Sequence, residues 1–166
     1  MSNIVYVSDH SVLEYDELQL FTDLGHDVFS MGAYHGLGGI DLPRPTVKGL
    51  KYHEDLDKVY VANPNRNEIQ PEIIDWADTI IFMHAPRVLV ENWPRIKHKQ
   101  VIWRSIGQSV QWIETLLKPL HDEGLVVVRY SPKERNIKNY MGEDAMIRFY
   151  KDPDVYTGWT GDTGKV

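Results

Sequence analysis

The stretch Ile4–Met31, IVYVSDHSVLEYDELQLFTDLGHDVFSM, decides how the rest of the chain is read. Four apolar, β-prone residues, Ile4–Val7, lead into the polar turn Ser8-Asp9-His10-Ser11 and then a run of helix formers over Val12–Leu24. Leu13, Leu20, Phe21 and Leu24 recur at the spacing of one helix face. Ser11 with Glu14 three residues on reads as a capping box, and Gly25 as the residue that ends the helix. Asp27–Met31 is then a second strand. Strand, helix and strand in so short a span predict parallel pairing through a right-handed crossover.

The same alternation continues. Thr79–Met83 (TIIFM), Gln100–Trp103 and Leu125–Tyr130 (LVVVRY) are apolar strands, and Ala145–Tyr150 is a candidate last one. Within the ambiguous segment Leu50–Ala62, Val59–Val61 reads as a short strand. Helices are expected over Asn67–Trp76, over Arg87–Asn92 with Trp93-Pro94 as its end, and over Ser109–Glu123 with Gly124 as terminator. A further helix starts at Ser131, with Pro132 in its first position and Glu134 in its first turn. Gly32–Pro45 is a Gly/Pro-rich loop; its Gly36-Leu37-Gly38-Gly39 cluster follows the second strand, the wrong place for a dinucleotide fingerprint. The fold class predicted is α/β: one Rossmann-like domain over residues 1–166, an open parallel sheet with helices on both faces.

Composition narrows the function classes. The 166 residues suffice for a sizeable core. Lysine and arginine total 18 against 24 acids, a net of −6 that comes entirely from residues 1–60, so no general nucleic-acid binding is expected. Without cysteine there are no disulfides, thiolate metal sites or thiol nucleophiles. The seven histidines show no metal-binding spacing, so no metal is expected; His26 follows the helix-ending glycine, and His53, His98 and His121 read as surface residues. No signal peptide or membrane-length apolar run is visible, and a soluble, cytoplasmic protein is expected.

Ligands of open α/β sheets bind beyond the carboxyl ends of the strands. There the sequence places Ser8, Asp9, His10 and Ser11, which either meet an anionic or oxygen-rich ligand at a helix start or simply cap and turn. His84 follows the third apolar strand, either as a general base or hydroxyl ligand or as a structural turn histidine. Arg104-Ser105-Ile106-Gly107-Gln108-Ser109 follows the next, with Arg104 suited to a phosphate or carboxylate and Gln108 and Ser109 to sugar hydroxyls. Ser109 also reads as a helix cap. Arg129 and Tyr130 approach the same edge. The basic, Trp-containing segment Arg87–Arg104 is either a solvated face or a weak contact for phosphates or a membrane surface.

These pieces resemble the amino-terminal, acceptor-side half of GT-B-type glycosyltransferases, in particular the glycosyltransferase family 4 group. The likeness rests on the first strand and its polar turn, Glu14, the junction Leu24-Gly25-His26-Asp27-Val28, the lead-in Ala77-Asp78-Thr79-Ile80-Ile81, and the turn Trp103-Arg104-Ser105-Ile106-Gly107-Gln108-Ser109. It extends from about Ile4 to about Gly161, and the tail over residues 151–166 resembles the approach to an interdomain linker. The resemblance implies one half of a GT-B fold, facing a donor-binding carboxyl-terminal domain in cis or in trans. A nucleotide sugar is the co-substrate, with no metal or other cofactor, and the acceptor is a glycan or small molecule. It places Ser8, Asp9, His10 and Ser11 towards the acceptor and the donor phosphates, and His84 near the transferred sugar as the catalytic candidate. Arg104, Gly107, Gln108 and Ser109 would line the acceptor side, with Arg129 free to face the same cleft. The alternatives are a stand-alone Rossmann- or flavodoxin-like binding module and an interaction domain docking through Arg87–Arg104.

Overall fold

The computed structural model describes residues 1–35, 46–107 and 109–150, and over them strands and helices alternate as the opening stretch predicts. The order is β1 (Asn3–Ser8), α1 (Ser11–Asp23), β2 (Asp27–Ser30), α2 (Glu54–Ala62), α3 (Pro71–Trp76), β3 (Thr79–Met83) and α4 (Pro86–Ile96). Then come β4 (Gln100–Arg104), α5 (Gln111–Asp122), β5 (Val126–Arg129), a 3₁₀ turn (Pro132–Asn136) and the two-residue β6 (Ala145–Met146). All six strands are parallel, in the spatial order β2-β1-β3-β4-β5-β6. The protein is a Rossmann-like, doubly wound α/β domain.

Alternation along the buried strands divides the core into two layers. Ile4, Tyr6, Val28, Ile81 and Met83 pack on Tyr15 and Leu18 of α1. Val5, Phe29, Ile80, Phe82, Trp103 and Val127 face the other way, onto side chains of α2 to α5 such as Tyr60, Leu89 and Leu117. Trp103 and Phe82 lose all contact with water, which contributes about 1.5–3 kcal/mol for a side chain of the phenylalanine class. Helix ends follow local chemistry. Gly25 (φ +85°) and Gly124 (φ +114°) take the left-handed conformation just beyond α1 and α5, where a side chain would be strained. Ser131 and Glu134 form a complete capping box on the 3₁₀ turn.

Several expectations are corrected. Glu54–Ala62 is a helix rather than a strand at Val59–Val61, because Leu56 and Tyr60, four residues apart, reach the core together. Asn67–Trp76 is helical only from Pro71, since Asn92 holds the preceding backbone by accepting from Ile69 N and donating to Asn67 O. Helix α4 runs through Pro94 to Ile96, because continuing buries both Trp93 and Ile96. Ser11 does not cap α1: the cap position is His10, and the Glu14 carboxylate turns inward instead. Helix α5 likewise starts at Gln111, after Val110. His53 and His121 are half-buried and partnered rather than freely solvated. His53 Nε2 meets Asp27 Oδ1 at 2.7 Å beside the Trp76 ring, and His121 bridges the Met141 carbonyl and Asp144. Gly36-Leu37-Gly38-Gly39, Gln108 and the tail over 151–166 lie outside the described residues.

Candidate functional site at the carboxyl edge

In the strand order, β1 sends its chain towards β2 and β3 sends its chain towards β4. A crevice therefore opens between the carboxyl ends of β1 and β3, where α1 and α4 leave on opposite faces of the sheet. Ser8 is the register partner of Met83, so the turns Ser8–Ser11 and His84–Arg87 emerge side by side. Ser8 Oγ accepts from His10 N (3.0 Å), which shapes the first turn and leaves Asp9 and His10 exposed.

The second turn is held in an unusual backbone state. His84 (φ +61°) and Ala85 (φ +42°) are successive left-handed residues without a glycine. Each such residue costs about 1–2 kcal/mol relative to its ordinary conformation. Neighbours impose it: His84 N donates to Arg104 O at 2.9 Å, and Trp103 Nε1 donates to His84 O at 2.7 Å. The buried Nδ1 of His84 has no hydrogen-bond partner among the described residues. Strain that the surrounding structure over-determines clusters at functional sites.

Two strands further along lies a cleft of about 450 Å³. Gly107 and Ser109 from the β4 loop form one wall, Tyr130, Ser131 and Lys133 the other, with Arg148 beyond β6. Gly107 is required there twice over. Its φ is +77°, and a Cβ would come within 2.8 Å of Tyr130 Cδ1. The Tyr130 ring stacks on Phe149 at 4.5 Å between centroids, and the Arg104 guanidinium lies over Phe149 at 5.0 Å.

Buried glutamates brace this edge. Glu14 accepts from Ser30 Oγ, Ala33 N and Tyr34 N, tying down the chain after β2. Glu17 pairs with Arg104 and accepts from Tyr6 Oη, while Arg104 Nη2 donates to Arg148 O. Glu114 takes a bidentate pair from Arg129 (2.5 and 2.9 Å) and accepts from Ser109 Oγ and Met141 N. Glu134 accepts from Tyr130 N, Ser131 N and Ser105 Oγ. Burial pushes the Glu17 carboxyl above its ordinary range, against the pull of Arg104 and Tyr6. Burial and the Glu17 charge push the Tyr6 hydroxyl well up. Burial also acts to raise Glu114, but hydrogen bonds from Arg129, Ser109 and Met141 N outweigh it and hold that carboxyl below its ordinary range.

The sequence-predicted residues thus divide. Ser8, Asp9, His10, Ser11 and His84 flank the switch-point crevice, and Gly107 and Ser109 line the neighbouring cleft. Arg104 and Arg129 are both buried, and their guanidinia are used internally, so neither is free to face the cleft. The hydroxyl of Ser109 is likewise taken by Glu114. The basic stretch Arg87–Arg104 is largely engaged as well: Arg95 pairs with Glu68, Lys97 with Glu123, and Lys99 donates to Ala77 O. Arg148, Glu17 and Glu114 are not among the sequence-predicted residues; Lys133 and Glu134 follow the LVVVRY strand, and Glu14 belongs to the resemblance, without an assigned binding role. The available signal was an acid set within an apolar helix face, as with Glu17 between Leu13 and Phe21, or Glu114 beside Leu117.

Fold and site together define a doubly wound α/β domain with a braced carboxyl edge at its topological switch point. Comparison of the chain with protein-family models, with curated proteins and with solved structures gives no match. Among the described residues, no group of three or more His, Asp or Glu side chains is arranged to hold a metal ion, and no helix is long and apolar enough to cross a membrane.

Proposed function

We propose that the chain is the acceptor-binding half of a glycosyltransferase, positioning an acceptor hydroxyl for attack on a sugar delivered by a separate donor-binding domain, in cis or in trans. The observation that carries the reading is the segment Arg104–Gly107. It holds the motif most like the acceptor-side turn of the family 4 group, and its glycine forms the wall of a sugar-sized cleft. His84, strained at the neighbouring strand end, is the candidate for orienting or deprotonating the acceptor hydroxyl. The donor diphosphate would approach the Ser8–Ser11 turn and the start of α1. Catalysis in this scheme is mainly positioning, worth several kcal/mol when reacting atoms are held near attack distance.

The chain alone is expected to show negligible transfer with common nucleotide sugars, and transfer should appear when a donor-binding domain is added. Robust turnover by the chain alone would sink the proposal. A second reading, a stand-alone binding module, draws on the β2-β1-β3-β4-β5 order, which is also that of flavodoxin-like domains. Tight binding of a flavin or free nucleotide by the chain, without sugar binding, would favour it.

A further inference from the structure

The cleft between the β4 loop and the 3₁₀ turn carries two cations whose charge is unspent. Lys133 and Arg148 both line it, both are exposed, and neither makes an ion pair among the described residues. Among the described residues most other lysines and arginines are in ion pairs, as Arg129 is with Glu114, Arg135 with Glu143 and Lys118 with Asp122. Among the described residues the one carboxylate on the cleft, Glu134, faces inward to Tyr130 N, Ser131 N, Ser105 Oγ and the Arg129 guanidinium. Ser131 Oγ accepts from Lys133 N and donates to no described residue.

We propose that this cleft holds the phosphate of a phosphorylated sugar or polyol, paired by Lys133 and Arg148 and hydrogen-bonded by the Ser131 hydroxyl. A phosphate monoester carries about −1.5 to −2 near neutral pH and so matches two cations, where a carboxylate would leave one unmet. The excess acid of residues 1–60 disfavours dianions there, whereas the local pair of cations without ion pairs attracts them here. The volume of about 450 Å³ suits one monosaccharide-sized ligand, not a macromolecule. The inference rests on the acceptor-side reading and gives the acceptor a chemical class.

The test is calorimetric titration of the full chain with hexose 1- and 6-phosphates and inositol phosphate, their neutral parents, glucuronate and inorganic phosphate. At least one phosphorylated compound should bind tenfold or more tightly than its parent and than glucuronate. Lys133→Gln and Arg148→Gln should each weaken it about tenfold, the size of one charge-assisted hydrogen bond, without changing the parent's affinity. Both positions are exposed, and unchanged melting curves will show that the variants fold. Neutral sugars binding as well as their phosphates, or variants without effect, overturn the inference and leave the acceptor-side reading standing. Inorganic phosphate binding as tightly as every sugar phosphate reduces the cleft to a bare anion site and overturns the inference too. No sugar of either kind binding overturns both.

Discussion

Removing the Glu114 carboxylate should be among the most damaging single changes to this fold. Glu114 and Arg129 are both fully buried, and the Arg129 guanidinium spends its donors on Glu114 and on the Gly142 carbonyl. In Glu114→Ala, Arg129 keeps its charge, lies over the Trp103 and Tyr140 rings, and among the described residues has only Glu134 at 3.8 Å as a counter-ion. Breaking a buried pair in this way costs about 3–5 kcal/mol, and Ser109 Oγ and Met141 N lose their acceptor besides. For a domain of this size each kcal/mol shifts the melting temperature by about 2–4 °C, so a drop of roughly 10 °C is expected. The double variant Glu114→Leu/Arg129→Met removes both charges and should recover most of the loss, apart from about 1 kcal/mol for each hydrogen-bonding group left behind. Urea unfolding followed by tryptophan fluorescence measures both, since Trp103 lies directly under Arg129. A single variant losing less than 1 kcal/mol, or a double variant as unstable as the single, would refute the reasoning.

The remaining predictions are briefer. Because Glu114 titrates below its ordinary range when folded, its contribution is complete above the unfolded-state pKa and is lost as pH falls through the folded one; the stability gap between wild type and Glu114→Gln should therefore be full above about pH 5 and shrink under acid. Gly107→Ala should cost about 1–3 kcal/mol from its φ of +77° and displace Tyr130, which sugar-binding titrations and melting curves will report together. His84→Gly relieves a left-handed residue and should leave stability unchanged or raise it by about 1 kcal/mol while abolishing transfer in the assembled enzyme; a retained rate would remove His84 from the mechanism. Charge reversal at Arg95, Lys97 and Lys99 should lower the melting temperature without altering sedimentation with anionic vesicles, because these side chains are tied to Glu68, Glu123 and Ala77 O.

What could be read from the chain and what could not have different physical sources. Strands such as TIIFM and the glycines that end α1 and α5 declare themselves locally, through continuous apolar character and the need for a left-handed residue. Pro94 misleads because the stop signal of a proline is local, whereas Trp93 and Ile96 continue the helix through tertiary burial. The acids mislead for the opposite reason. Glu14, Glu17 and Glu114 look like solvated charges or caps, since buried carboxylates are rare, yet each meets partners far away in sequence. Arg104 and Arg129 look like free ligand-binding cations until those acids are found opposite them. The carboxyl edge as the candidate location follows from topology alone; that Lys133 and Arg148 line a cleft there without ion pairs among the described residues is visible only in the folded chain.

Binding at the carboxyl edge is tested most directly by mapping backbone amide shifts by NMR while soluble mono- and oligosaccharides, neutral and phosphorylated, are titrated into the chain. The predicted perturbations fall on Ser8–Ser11, His84–Arg87, Gly107 and Tyr130–Lys133, at the carboxyl ends of β1, β3, β4 and β5. Shifts confined to the opposite edge, at His26, Asp78, Lys99 and Gly124, would contradict the account, as would the absence of any shift with any sugar.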